Sequence, residues 1–369
     1  MDHPATSEPT ALSATTRFRL ADPAALIAHA CRLYAEFGPV EASGRHGRIE
    51  TAFGRTVLEA VAPDLMEARA EASDAVNLAY VKMGLAETVA QFLGDAAPAI
   101  RWEGDEADVR VPPFFREMRV VSAIWLAPRM RRIRLEGEDL ARFAVNGLHV
   151  RLLFPPEGRA PVWPHLREDG RIRWPCDEDR LETRVYTIRR MDAAAGWVDV
   201  DIVVHEGDRT PGSAFALGAR PGERVGMTGP GGGEAPLDRP LFLFGDETAL
   251  PAIARILEML PQGIPARAAV EVDGPADELP LPERPGIETR WLHRGGRPAG
   301  TAGLLPEALR ACDLEALGER AFVWAAGEFA DFRAMRTHLR VQRRWPRERH
   351  LVASYWRRGS AGNEPLPTD

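Results

Sequence analysis

Residues 15–20 alternate apolar and polar positions as a strand does, and Asp22-Pro23 reads as a helix start, with aspartate capping and proline in the first turn. Leu26, Ile27, Ala30, Leu33, Tyr34 and Phe37 recur at helical spacing until Gly38 stops the run. Short strands are predicted over residues 48–51, 56–60 and 65–70. A second helix is predicted over 73–93, with Val76, Leu78, Val81, Leu85, Val89 and Phe92 on its apolar side. These elements make a small α+β domain within residues 1–100. Residues 94–113 are polar and irregular, carry Asp105, Glu106 and Asp108, and end in Pro112-Pro113, which predicts a linker.

From residue 114 the pattern is strand-like. Strands are predicted over 118–125, 131–135, 150–154, 183–189, 197–204 and 224–228, separated by turns rich in proline and glycine. Six short strands at this spacing predict an antiparallel β-barrel over 114–237. The texture changes at Pro240. Apolar strands at 241–244, 268–272, 288–292, 322–325 and 351–354 alternate with helices at 249–260, 302–311 and 329–341. That alternation predicts a parallel α/β domain over 240–360. The fold class is therefore multi-domain α+β and α/β, and a barrel followed by a parallel sheet points toward flavin-dependent reductases.

Composition narrows the function. Lys and Arg total 47 against 54 Asp and Glu, a formal charge of −7, which disfavours sequence-independent nucleic-acid binding. Cys31, Cys176 and Cys312 are far apart, with no C-x-x-C pair for a disulfide framework, a zinc site or an iron–sulfur centre. No histidine spacing implies a protein-bound metal, and there is no G-x-S-x-G nucleophile motif. The start of the chain has no signal-peptide pattern, and no apolar run approaches the ~20 residues that span a bilayer, so a cytoplasmic protein without membrane insertion is expected.

The strongest chemical signal is Arg184-Val185-Tyr186-Thr187-Ile188-Arg189 on a barrel strand. Alternation puts Arg184, Tyr186 and Ile188 on one face and Thr187 and Arg189 on the other. A flavin needs an aromatic side chain on its ring, a cation at its pyrophosphate and a polar group near N5, and this segment carries all three. Further along stand Val200-Asp201-Ile202-Val203-Val204-His205, Gly229-Pro230-Gly231-Gly232 and Gly245-Asp246-Glu247-Thr248-Ala249-Leu250-Pro251-Ala252. Trp324-Ala325-Ala326-Gly327-Glu328 and Ser354-Tyr355-Trp356-Arg357-Arg358-Gly359 complete the series. In this order, over residues 114–360, they resemble the siderophore-interacting protein family. Its members are FAD-containing, NAD(P)H-dependent ferric-siderophore reductases related to ferredoxin reductases. The first domain resembles a small domain of unknown function fused ahead of such reductases.

The resemblance implies that Arg184, Tyr186 and Thr187 bind the FAD pyrophosphate, ring and N5 edge, and that His205 lies against the adenosine or ribityl part. It implies that Ser213 and Ala214, in Pro211-Gly212-Ser213-Ala214-Phe215-Ala216, cradle the pyrophosphate at a helix start. Phe215 stands where the family carries tryptophan, a departure expected to affect packing. Gly245, Asp246, Thr248 and Ala249 take the place of a dinucleotide loop but lack G-x-G-x-x-G. Two acids there would repel a pyrophosphate, so Thr248 and the helix start are expected on the nicotinamide side, with Asp246 or Glu247 bonding a polar group or capping the helix. Gly327 and Glu328 are placed beside the nicotinamide.

The donor is NADPH or NADH. Glu271 and Asp273 on the second strand argue for NADH, whereas Arg294 and Arg297 after the third could hold a 2′-phosphate; the resemblance tips the expectation to NADPH. Arg151, Arg357 and Arg358 are the candidates for a bulky, anionic ferric siderophore, while Arg129, Arg131, Arg132 and Arg134 are expected mostly at the surface. Trp163, Trp174 and Trp356 are candidates for a substrate cleft or for core. No acid–base catalytic residue is assigned. Two rival functions share this architecture: a ferredoxin-reductase-like flavoprotein serving a protein acceptor, and a non-catalytic siderophore- or flavin-binding protein.

Overall fold

A computed structural model describes residues 11–145, 147–204 and 210–360. The chain divides into two compact units, one from the residues up to Phe115 together with Val162–Arg180, the other from Arg116–Pro161 together with the residues from Leu181 on.

The first unit is built on a six-stranded antiparallel sheet of β1 (Leu12–Arg19), β2 (Val40–Ser43), β3 (His46–Thr51), β4 (Gly54–Ala62), β5 (Leu65–Ala72) and β6 (Glu103–Gly104), in the order β2-β3-β4-β5-β1-β6. Alternation along β1 and β5 buries Ala14, Phe18, Met66, Ala68 and Ala70 on one face, which α1 (Pro23–Tyr34) and α2 (Ala75–Leu93) cover with Leu26, Ile27, Leu78, Leu85 and Val89. Asp22 caps α1 through the Ala25 N–H (3.0 Å), and Asp74 caps α2 through that of Asn77 (2.9 Å). The stretch expected to be a linker is instead part of this core. Ile100 and Trp102 are buried in it and β6 pairs with β1, because two large apolar side chains gain more by burial than a solvated tether would.

The second unit opens with the barrel, ordered β12-β13-β8-β7-β14-β9 and closed. Its first three strands are β7 (Phe115–Ala127), β8 (Met130–Glu136) and β9 (His149–Phe154). Between β9 and β12 the chain makes a hairpin, β10 (His165–Leu166) with β11 (Ile172–Arg173). Residues 162–180, inside the span expected for the barrel, thus belong to the first unit: the Trp102 indole donates to the Asp169 carbonyl (3.0 Å), the Leu166 N–H to that of Arg110 (2.7 Å), and Trp163 packs on Phe115. Beside Gly170 lies Lys82, the single lysine of the chain. It is 5% exposed, donates to the Glu106 carbonyl (2.8 Å), and has its pKa lowered by burial. Amine-directed labelling followed by mass spectrometry should leave Lys82 unmodified until the protein is unfolded; rapid labelling of folded protein would contradict this packing.

The barrel resumes with β12 (Glu182–Asp192), β13 (Trp197–Val203), the helix α3 (Pro211–Gly218) and β14 (Arg224–Gly231). Arg132 and Arg134 are not loose surface groups. Each makes a two-pronged ion pair, with the buried Asp201 (2.7 and 2.8 Å) and Asp199 (2.8 and 2.8 Å) on the neighbouring strand. Arg129 pairs with Asp273 (3.0 Å) and Asp277 (3.1 Å), and Arg131 donates to the Ala216 and Leu217 carbonyls.

The remaining elements are β15 (Leu241–Gly245), α4 (Leu250–Met259), β16 (Ala266–Val272), β17 (Ile287–His293), α5 (Leu304–Ala311), β18 (Phe322–Glu328), α6 (Phe329–Thr337) and β19 (His350–Trp356). The five strands are parallel, in the order β17-β16-β15-β18-β19. No helix among the described residues is long and apolar enough to cross a membrane.

Candidate functional site

Strand β12 carries the aromatic–cationic motif on a barrel wall. Ile188 is fully buried in the barrel core and Tyr186 packs against the same cluster. The Tyr186 hydroxyl abuts the first turn of α3 so closely that a Cβ on Gly212 would lie 1.6 Å from it. Burial pushes that hydroxyl's pKa up, so it stays protonated. Its ring meets Phe154 edge-on (6.4 Å), and Phe154 in turn packs on Phe215 (4.8 Å), the position of the family departure. Arg184 lies on the same strand, largely covered, beside Glu182 (3.6 Å).

Thr210 caps α3 by accepting from the Ser213 N–H (3.4 Å), and the Ala214 N–H is spent on the Thr210 carbonyl (2.8 Å). The expected cradle of Ser213 and Ala214 amides is thereby reduced. What remains is the Ser213 hydroxyl, 1% exposed and without a hydrogen-bond partner among the described residues. Such orphaned groups are rare in folded proteins and fit an absent polar ligand. Gly212→Ala should displace the Tyr186 ring and lower the melting temperature by about 2–12 °C; an unchanged melting temperature would contradict the packing.

On the opposite face of β12, Arg189 is 5% exposed and makes a two-pronged ion pair with Glu258 of α4 (2.6 and 2.7 Å), which Arg190 joins (2.9 Å). Burial alone would raise the Glu258 carboxyl, but the two guanidinium groups bring it down to about 2. Arg255 of α4 donates to the Ile188 carbonyl (2.9 Å). Thr187, 4% exposed, contacts His149 Nδ1 (3.3 Å), whose Nε2 is 2.8 Å from the Tyr355 hydroxyl on β19. β12 is thus fastened to both α4 and β19.

The parallel sheet reverses its winding between β15 and β18, and in such sheets ligands bind at the carboxyl ends of the strands flanking that point. Gly245, Asp246, Thr248, Ala249, Gly327 and Glu328 all fall there. Gly245 is required by packing: a Cβ would sit 2.6 Å from Ala249 Cβ and 2.9 Å from Ile253 Cδ1 as β15 turns into α4. Asp246 holds that turn, accepting from the Thr248 N–H (2.9 Å) and hydroxyl (2.5 Å) and from the Trp356 indole (2.7 Å). Burial and then the charge of Glu247 raise its pKa to about 6. Glu328 caps α6 through the Ala330 N–H and accepts from the Arg358 N–H (3.0 Å).

Arg294 does not stand ready for a 2′-phosphate. It is 4% exposed and locked on Glu247 (2.7 and 2.7 Å), with Glu271 at 3.5 Å, because a buried guanidinium must be paired. Arg297 stays exposed. Burial is the main reason Glu271 is raised to about 7, and its Oε2 has no partner among the described residues. A raised acid costs folding wherever the unfolded chain has already ionised it, so this cost is absent below about pH 4, builds as pH rises from 4.5 to about 7 and is complete above that. Glu271→Gln should therefore raise the melting temperature most at pH 8 and lose that advantage as pH falls below 4.5; a pH-independent difference would contradict the assignment.

Arg151, Arg357 and Arg358 are exposed; Arg357 lies over the Phe329 ring (4.9 Å). His205 falls outside the described residues. Trp163 and Trp174 (42% exposed) belong to the first unit, and Trp356 reaches the strand-end cluster of the second. Sequence reasoning missed His149, Tyr355 and Gly212 as site residues. The run Gly229–Gly233 was the available hint, since a Cβ on Gly233 would lie 2.1 Å from His149 Nε2.

Residues 119–234 match the siderophore-interacting FAD-binding domain model, and residues 239–359 match the siderophore-interacting protein model. The chain is 32% identical over 240 residues to the ferric vibriobactin reductase ViuB of Vibrio cholerae, covering 64% of this chain and 86% of that one. The chain belongs to the siderophore-interacting protein family. Among solved structures, a siderophore utilization protein from T. fusca aligns with a TM-score of 0.57 at 36% identity, over 68% of this chain and 95% of that one. The siderophore-interacting protein SipS from Aeromonas hydrophila aligns with a TM-score of 0.56 at 28% identity, over 67% and 92%. The barrel of this siderophore-interacting protein fits FAD in its chemistry: the Ser213 hydroxyl is buried without a partner among the described residues, a polar group left for a polar cofactor.

Proposed function

We infer that the protein is a ferric-siderophore reductase, drawing electrons from NAD(P)H through FAD and releasing Fe(II). The observation that carries the reading is the pairing of a flavin-type barrel strand with the ligand crevice of a parallel sheet, fastened together by Arg189–Glu258 and Arg255. Bound FAD supplies the conversion of a two-electron hydride donor into single electrons.

The chain's own residues position and shield. Arg184 and the Ser213 hydroxyl hold the pyrophosphate, Tyr186 covers the ring, and the Thr187 hydroxyl meets the N5 edge. Thr248, Ala249, Gly327 and the capped Glu328 line the nicotinamide end. Arg151, Arg357 and Arg358 attract an anionic ferric chelate. Iron is the substrate's, and it leaves after reduction because hard oxygen ligands hold the less charged Fe(II) less tightly. A cytoplasmic setting, where NAD(P)H is supplied, is part of this reading.

Steady-state reduction of a ferric siderophore, followed by a ferrous trap, tests it. Arg151→Glu and Arg357→Glu should each raise KM about three- to ten-fold at low salt and less at high salt, with kcat nearly unchanged. Equal KM at both salt concentrations would remove these arginines from the substrate site.

A further inference from the structure

His149 sits at the start of β9, directly opposite Thr187 of β12 in the barrel ladder, and the mechanism above gives it no part. Its ring lies between two hydroxyls, Thr187 Oγ1 on Nδ1 (3.3 Å) and Tyr355 Oη on Nε2 (2.8 Å). The ring cannot shift freely. A side chain at Gly233 would strike Nε2 (2.1 Å from its Cβ), the Gly233 carbonyl accepts the Trp324 indole N–H (2.9 Å), and Tyr355 stands edge-on both to His149 (5.3 Å, 88°) and to Trp324 (6.2 Å, 85°). Burial, with Arg255 adding to it, lowers the His149 pKa to about 4, so the ring is neutral at ordinary pH.

A neutral imidazole has one donor nitrogen and one acceptor. Tyr355 is a buried hydroxyl whose pKa is raised, so it keeps its proton and must donate it. Among the described residues its only hydrogen-bond acceptor is His149 Nε2. That fixes the tautomer: the ring proton lies on Nδ1 and is donated to Thr187 Oγ1. The hydroxyl proton of Thr187 then cannot go to His149, and no other acceptor for it is present among the described residues.

We propose that Tyr355 and His149 are positioning residues that set the hydrogen-bond polarity of Thr187, holding it as a donor toward N5 of the oxidised flavin. This rests on the placement of Thr187 at the N5 edge in the proposed function. It also links the last strand of the nucleotide sheet to the electronic environment of the flavin, through two side chains that need not touch the cofactor. No net proton moves; the relay fixes which way each hydroxyl points.

The test uses the full-length protein loaded with FAD, in variants Thr187→Val, Tyr355→Phe, Tyr355→Phe/Thr187→Val, His149→Leu and His149→Asn. The readouts are the dissociation constant of oxidised FAD, the midpoint potential and the flavin visible spectrum. In Tyr355→Phe the imidazole is released to the other tautomer, and Thr187 turns its proton onto Nδ1. Oxidised FAD should then bind about five-fold more weakly, the worth of one net hydrogen bond, with a potential moved in the positive direction by the same factor. Thr187→Val should show the same change, and the double variant no more than Thr187→Val alone. His149→Leu, which leaves Thr187 no competing acceptor, should keep the wild-type potential and spectrum, as should His149→Asn, whose amide N–H replaces Nδ1–H; a shift in His149→Leu equal to that of Tyr355→Phe would contradict the relay. If Thr187→Val shifts the flavin and Tyr355→Phe does not, the relay is wrong and the flavin placement stands. If FAD binds with unaltered potential in Thr187→Val, the N5 placement fails and the relay falls with it.

Discussion

An Arg184→Ala/Tyr186→Ala variant should purify colourless. Loss of a buried charge-assisted hydrogen bond to a phosphate costs about 1.5–3 kcal/mol, roughly ten- to hundred-fold in affinity. Removing an aromatic side chain against the ring costs a comparable amount, so the two together come to roughly a hundred- to ten-thousand-fold. Arg184 is largely covered and Tyr186 is wedged against Gly212, so neither is a surface group whose loss the barrel could ignore. The ratio of flavin to protein absorbance reads the result, with circular dichroism to confirm an intact barrel. A yellow variant at full occupancy would place the cofactor elsewhere.

The second large effect concerns the fastening of β12 to α4. Glu258→Ala leaves Arg189, 5% exposed, with its partner gone, and breaking a buried ion pair from one side costs about 3–5 kcal/mol. Glu258 is itself a third exposed, so the lower end, about 3 kcal/mol, applies. At roughly 2–4 °C per kcal/mol, the melting temperature should fall by about 6–12 °C. Replacing both partners, Arg189→Met with Glu258→Leu, should recover most of that loss. The pH dependence has a definite sign. Glu258 titrates at about 2 when folded against an ordinary 4.5, so the pair's contribution is complete above pH 4.5 and disappears as pH falls toward 2. A melting temperature unchanged by Glu258→Ala would mean the pair is decorative.

The barrel and the parallel sheet were legible because their cores obey simple periods. All six barrel strands and all five parallel strands carry alternating or continuous apolar runs, and they appear in the structure with ends moved by a few residues. Arg184, Tyr186 and Thr187 could be named because their spacing on one strand is itself the chemical signal. Residues 94–113 and 162–180 were misread for one reason. Their order depends on Trp102, Asp169 and Gly170 meeting across distant sequence, which no local window contains. The partners of the arginines at 129–134 were hidden likewise, since Asp199, Asp201 and Asp273 reach them only through strand pairing and loop packing. Arg294 looked available for a 2′-phosphate because its partner Glu247 lies 47 positions away. His149 and Tyr355 are 206 positions apart, and neither is unusual until β9 and β19 are brought together.

The central claim is that electrons pass from a nicotinamide nucleotide through bound FAD to chelated iron, and an anaerobic titration tests it most directly. The FAD-loaded protein is reduced with NADPH or NADH, and a ferric siderophore is then added in the presence of a ferrous trap. The yellow colour should bleach with the nucleotide and return on adding the siderophore, with two Fe(II) trapped per FAD reoxidised. A flavin that bleaches but is not reoxidised by the ferric siderophore, or a protein that never takes up FAD, would contradict it.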